Sequence, residues 1–103
     1  MAVAGSSMEP ALRDGDWLLV DPDAFRHRPP TAGDLVVVPD PRHRPRLIVK
    51  RVATIDATGG LVLLGDAPNA STDSRMWGPV PVSEVFGQPW FRYWPPRRIG
   101  RLR

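Results

Sequence analysis

The chain has 103 residues, of which 42% are hydrophobic and 24% charged, with a formal net charge of +3 and no cysteine. That length holds one small domain, 1–103, with a single modest core. The missing cysteine excludes disulfides, a thiolate nucleophile and sulfur-based zinc sites, and no apolar run approaches the length of about 20 residues that a spanning helix needs.

The opening "MAVAG" is too short for a signal peptide and lacks its basic start. "SMEPALRDG" (7–15) predicts a single helical turn, capped by Ser7 and ended by Gly15. The acidic pair Asp14 and Asp16 around Gly15 reads as turn structure. Short runs rich in β-branched and aromatic residues follow: "WLLV" (17–20), "DLVVV" (34–38), "LIVKRVATI" (47–55), "LVLL" (61–64) and "VFGQPWFRYW" (85–94). They are bounded by Gly, Pro and Asp and predict strands. "DATGG" (56–60) predicts a hairpin turn, and "PDPRHRPR" (39–46) an irregular loop. Thirteen prolines and nine glycines favour short strands on stiff loops over long helices. The expected architecture is mostly β: a small twisted sheet closing towards a barrel.

The basic residues cluster as Arg42, Arg44 and Arg46 in one loop, and Arg97, Arg98, Arg101 and Arg103 at the C-terminus. Residues 95–103 read as a basic, flexible tail. Either cluster could meet anionic lipid or nucleic acid, but solvated charge is the simpler reading and no nucleic-acid partner is expected. His27 and His43 lie in Arg- and Pro-rich loops without metal-ligand spacing, so neither a metal nor any other cofactor is expected.

Among fourteen Lys and Arg residues only Lys50 is a lysine. Guanidinium stays protonated in proteins, whereas burial can make an ammonium neutral. Strand alternation places Lys50 on one face with Ile48 and Val52. If that face is buried, desolvation lowers the amine from its reference value of about 10.4 and makes it a general base. The alternative is a lysine at a strand edge with its ammonium in water. A base needs a nucleophile, and four of the five serines fall in "GSSMEPAL" (5–12) and "GDAPNASTDSRMWG" (65–78). The first stretch could expose the Ser7 hydroxyl beside free backbone amides, as acyl transfer requires, or could simply cap a turn.

"GSSMEPAL", "VKRV" and "GDAPNASTDSRMWGPVP", in this order, resemble the type I signal peptidase family, serine–lysine peptidases that share a β-fold with LexA-type self-cleaving repressors. The resemblance spans roughly residues 5–94. It implies Ser7, before Met8 and with Pro10 and Leu12 in place, as nucleophile, and Lys50, followed by Arg51, as general base. It further implies that Ser71 orients the lysine amine and that Asp73 and Arg75 form a supporting ion pair. Gly5, Ser6, Met8 and Pro10 become candidate substrate-binding positions. A protein substrate would lie extended along a strand edge near residues 5–10 and 47–50, with small side chains before the scissile bond.

The departures are informative. Where bacterial signal peptidases commonly carry a serine two residues before the nucleophile, this chain has Gly5, leaving the oxyanion to backbone amides. Ala67 stands for the usual Asn, and the stretch from Arg51 to Gly65 is too short for an accessory β-domain. Within the family, the short anchorless start and the tail "WFRYWPPRR" most resemble the nickel-type superoxide dismutase maturation proteases. That implies a cytoplasmic endopeptidase removing a leader from that enzyme's precursor. The alternatives are the soluble part of a membrane signal peptidase, a self-cleaving repressor-type domain, and a non-enzymatic basic binding module.

Overall fold

The computed structural model describes residues 1–43, 45–67 and 78–102. Among the described residues six strands form: β1 (Trp17–Asp21), β2 (Leu35–Pro39), β3 (Leu47–Ile55), β4 (Leu61–Leu64), β5 (Gln88–Trp94) and β6 (Gly100–Arg101). The fold is mostly β, as the sequence predicts. The strands form two antiparallel three-stranded sheets, one in the order β2-β3-β4 and the other β1-β5-β6. The break falls at Gly87. Its segment crosses from one sheet to the other, and Val37 exchanges backbone hydrogen bonds with it: Val37 N–H to Gly87 O at 2.9 Å and Phe86 N–H to Val37 O at 2.8 Å. A Cβ on Gly87 would lie 2.6 Å from the Asp21 carbonyl oxygen at the end of β1, so only glycine fits against β1 at this point.

Strand β2 is buried on both faces, and its alternation divides the core. Leu35 and Val37 join Met8, Leu12, Leu18 and Val49 in one cluster. Val36 and Val38 join Val52, Leu61, Leu63 and Val80 in the other. Each fully buried Val or Leu contributes about 1.5–3 kcal/mol of transfer free energy. Residues 56–60 form the predicted hairpin turn: Asp56 accepts from the Thr58 and Gly60 amides and leads straight back into β4, with no accessory domain between β3 and β4.

Two expectations change. Residues 7–15 form successive turns rather than a helical turn, with one i→i+4 bond, Leu12 N–H to Met8 O at 2.9 Å. Pro10 interrupts the run, because it lacks an N–H and pushes the preceding residue out of helical geometry. The segment 95–102, expected as a flexible tail, is folded. It makes a 3₁₀ turn over Pro96–Arg98, pairs β6 with Phe91 and Arg92 of β5, and ends with Leu102 N–H on the Trp90 carbonyl.

Candidate active site

Ser7 sits in a loop whose base is laced by backbone bonds. Val3 N–H donates to Asp16 O at 2.7 Å and Gly15 N–H to Val3 O at 2.8 Å, while Gly5 N–H donates to the Asp14 carboxylate at 2.8 Å. The acidic pair read as turn structure thus closes the loop. Met8 and Leu12, at 2% and 0% exposure, peg it into the core. Ser7 itself stays half-buried, and Gly5, Ser6 and Pro10 are exposed. Of the candidate substrate-binding positions, then, Met8 has its side chain committed to packing.

Lys50 lies on β3 opposite Val36 of β2 and is only 3% exposed. Its strand neighbours of the same parity, Ile48 and Val52, pack in the cluster that contains Val36. Of the two readings open to this lysine, burial is the one observed. Arg51 next to it points elsewhere. Its Nε and Nη2 donate to the two oxygens of Asp66, both at 2.9 Å, and Nη1 donates to the Gly33 carbonyl at 3.0 Å. The hydrogen bond to Asp66 raises the guanidinium's pKa further, and a bidentate pair of this kind fixes orientation as well as distance. One residue on, the Ala67 N–H donates to the Ser7 carbonyl at 2.9 Å. A continuous set of contacts therefore runs from the lysine's strand through Arg51, Asp66 and Ala67 to the serine.

Between the two segments lies a cleft of about 170 Å³, lined by residues 1–4, Ser7 and Met8 on one side and residues 46–49 on the other. Over 47–49, β3 pairs with β2 alone, because β4 is in register only from Arg51 onward. The second edge of β3 here has no sheet neighbour among the described residues. Ser71, Asp73 and Arg75 lie outside the described residues. His27 and His43 are exposed, and no group of three or more metal-ligating side chains occurs among the described residues. The Arg51–Asp66 pair escapes a reading of the sequence, although each member stands inside one of the quoted motifs.

The Ser7 turn thus borders a short cleft whose other wall is the β3 stretch that leads into the buried Lys50. Among known families, the model described as "Signal peptidase, peptidase S26" matches residues 1–60 and 54–94. The chain belongs to this family and is a serine peptidase. It is 33% identical to the mitochondrial ATP-independent inner membrane protease subunit 1a of Arabidopsis thaliana, over 98% of this chain and 73% of the relative. To signal peptidase I of Leptolyngbya laminosa it is 29% identical, over 97% and 70%. With the probable thylakoidal processing peptidase 2 of Arabidopsis thaliana the identity is 34%, over 86% of this chain and 23% of the relative.

Proposed function

We propose that this peptidase removes N-terminal targeting segments from precursor proteins, in the manner of a type I signal peptidase, with Ser7 as nucleophile and Lys50 as general base. The observation that carries the reading is the burial of the sole lysine on the strand beside the Ser7 cleft. Burial favours the neutral amine over the ammonium, which is the form a base requires. The Ser7 Oγ attacks the scissile carbonyl while its proton passes to the Lys50 Nζ. The backbone amide of Ser7 helps hold the oxyanion. The C–N bond then breaks as Nζ returns the proton to the leaving amine, and the same Nζ takes a proton from the water that hydrolyses the acyl-enzyme. Ser71 orients the amine, with Asp73 and Arg75 as its supporting pair. The precursor lies extended along the open edge of β3 and adds to it by main-chain pairing.

The relatives are signal and organelle processing peptidases, and they favour this reading over the narrower one of a nickel superoxide dismutase leader. They also favour a place at a membrane surface over the cytoplasm. Of the arginines expected to meet a membrane, Arg97 and Arg101 are exposed, beside the exposed Trp17, Tyr93 and Trp94. Arg98 is turned inward to Asp16, and Arg103 lies outside the described residues. No helix of the described residues is long and apolar enough to cross a membrane.

The test is incubation with two precursors, one bearing a secretory signal peptide and one a nickel superoxide dismutase leader, reading new N-termini by mass spectrometry. Cleavage of the first is expected; cleavage of the second alone would restore the narrower reading. Ser7→Ala should abolish cleavage. Lys50→Arg should abolish it as well, because arginine retains its proton. An active Lys50→Arg enzyme would falsify the mechanism.

A further inference from the structure

The loop that carries Ser7 is also gripped by side chains from the far end of the chain. Asp16 is 2% exposed. One of its oxygens accepts the Arg13 amide at 2.9 Å, with the Arg92 Nη1 at 3.2 Å and the Arg98 Nη1 at 3.7 Å. Arg92 does more than balance that charge. Its Nη1 also donates to the Ala11 carbonyl at 2.9 Å, and its Nε donates to the Arg98 carbonyl at 2.6 Å. Register sets this up, because Arg92 stands opposite Leu18, a core residue, so its side chain is directed inward from β5.

The loop is therefore held on two sides. Met8 and Leu12 anchor it in the core, and a single guanidinium ties its outer limb at Ala11 to its base at Asp16. Only a planar group with several donors in fixed directions can serve all these acceptors together. A cluster of one carboxylate and two guanidiniums is an excessive device for charge balance alone; it suits the fixing of geometry.

We propose that Arg92 is a positioning residue for the Ser7 nucleophile, acting through the Ala11 carbonyl and the Asp16 carboxylate. This rests on the assignment of Ser7 above. Arg92 is not among the residues that line the Ser7 cleft. Its role lies in the placement of the hydroxyl at the moment of attack, where a displacement of about 1 Å costs about a hundredfold in rate.

The experiment measures kcat and KM separately on a signal-peptide substrate, with folding checked by circular dichroism and thermal melting. Arg92→Lys, which keeps the charge but cannot reach all the acceptors, is expected to lower kcat about tenfold to a hundredfold, leaving KM and the pH midpoint of kcat/KM in place. The double variant Asp16→Asn with Arg92→Met removes the carboxylate and one of its two guanidiniums, Arg98 keeping its charge, so no unpaired carboxylate is left to unfold the loop. It is expected to fold and to remain slow, because the Ala11 tie is still missing. An unchanged kcat in Arg92→Lys, or recovery of wild-type kcat in the double variant, overturns the proposal and reduces Arg92 to a counter-ion. Ser7→Ala is assayed alongside. If it keeps activity, the nucleophile assignment has failed; if it is inactive while Arg92→Lys is fully active, only the positioning role has failed.

Discussion

Lys50 is conspicuous from composition alone, and strand alternation correctly groups it with Ile48 and Val52. What alternation cannot decide is whether that face is wet. The answer depends on Val36 and the second core cluster, which come from other parts of the chain. The Ser7 turn is legible as a motif but not as a shape, because Pro10 overrides the capping signal that a serine offers. Gly5 adds a constraint of its own. It has a positive φ of 88°, and a Cβ added there would meet nothing within 4 Å, so space is available but the backbone is unfavourable for an L side chain. Gly5→Ala is expected to cost about 1 kcal/mol, read as a lowered urea midpoint.

At the scale of elements, strands with strong period-two patterns and the Asp56 hairpin turn are readable from local chemistry. Strand β6 is not, since Gly100–Arg101 has no pattern of its own and becomes a strand only by pairing with β5. Nor is the Arg51–Asp66 pair, because an arginine on a strand has many carboxylates to choose from and tertiary packing makes the choice. That pair couples β3 to the segment that hydrogen-bonds Ser7. Asp66→Asn is expected to destabilise the fold by about 1–2 kcal/mol. It should also slow cleavage more than its melting curve explains, a comparison made at a temperature where both proteins are fully folded.

At the whole-molecule scale, the close passage of Gly87 against the end of β1 at Asp21, which no side chain would allow, is invisible to hydrophobic pattern. The molecule's charge distribution predicts its response to acid. Burial works against ionisation of Asp34 and Asp40, yet the Arg28 guanidinium and Thr31 donors at Asp34, and the Arg42 amide and nearby cationic groups at Asp40, hold both carboxyls below the usual range. Groups with depressed folded values contribute stability that is present above the unfolded pKa of about 3.9 and lost as pH falls through the folded values. Urea midpoints should therefore be level on this account down to about pH 5 and decline below about pH 4, with Asp40→Asn flattening part of the decline. The aromatic and arginine surface around Trp17, Trp94, Arg97 and Arg101 predicts sedimentation with anionic vesicles that weakens as salt rises. Salt-insensitive or absent binding would remove that surface from the reading.

The open edge of β3 has a consequence for solubility. A strand edge that can accept a precursor can accept the same edge of a second copy, and such edges are templates for aggregation. Here the exposed stretch is short, begins just after Arg46, and faces residues 1–4 across a narrow cleft. On the proposed mode of substrate binding, a guest strand would have to enter that cleft, so the same short edge that would admit a precursor would also discourage self-association.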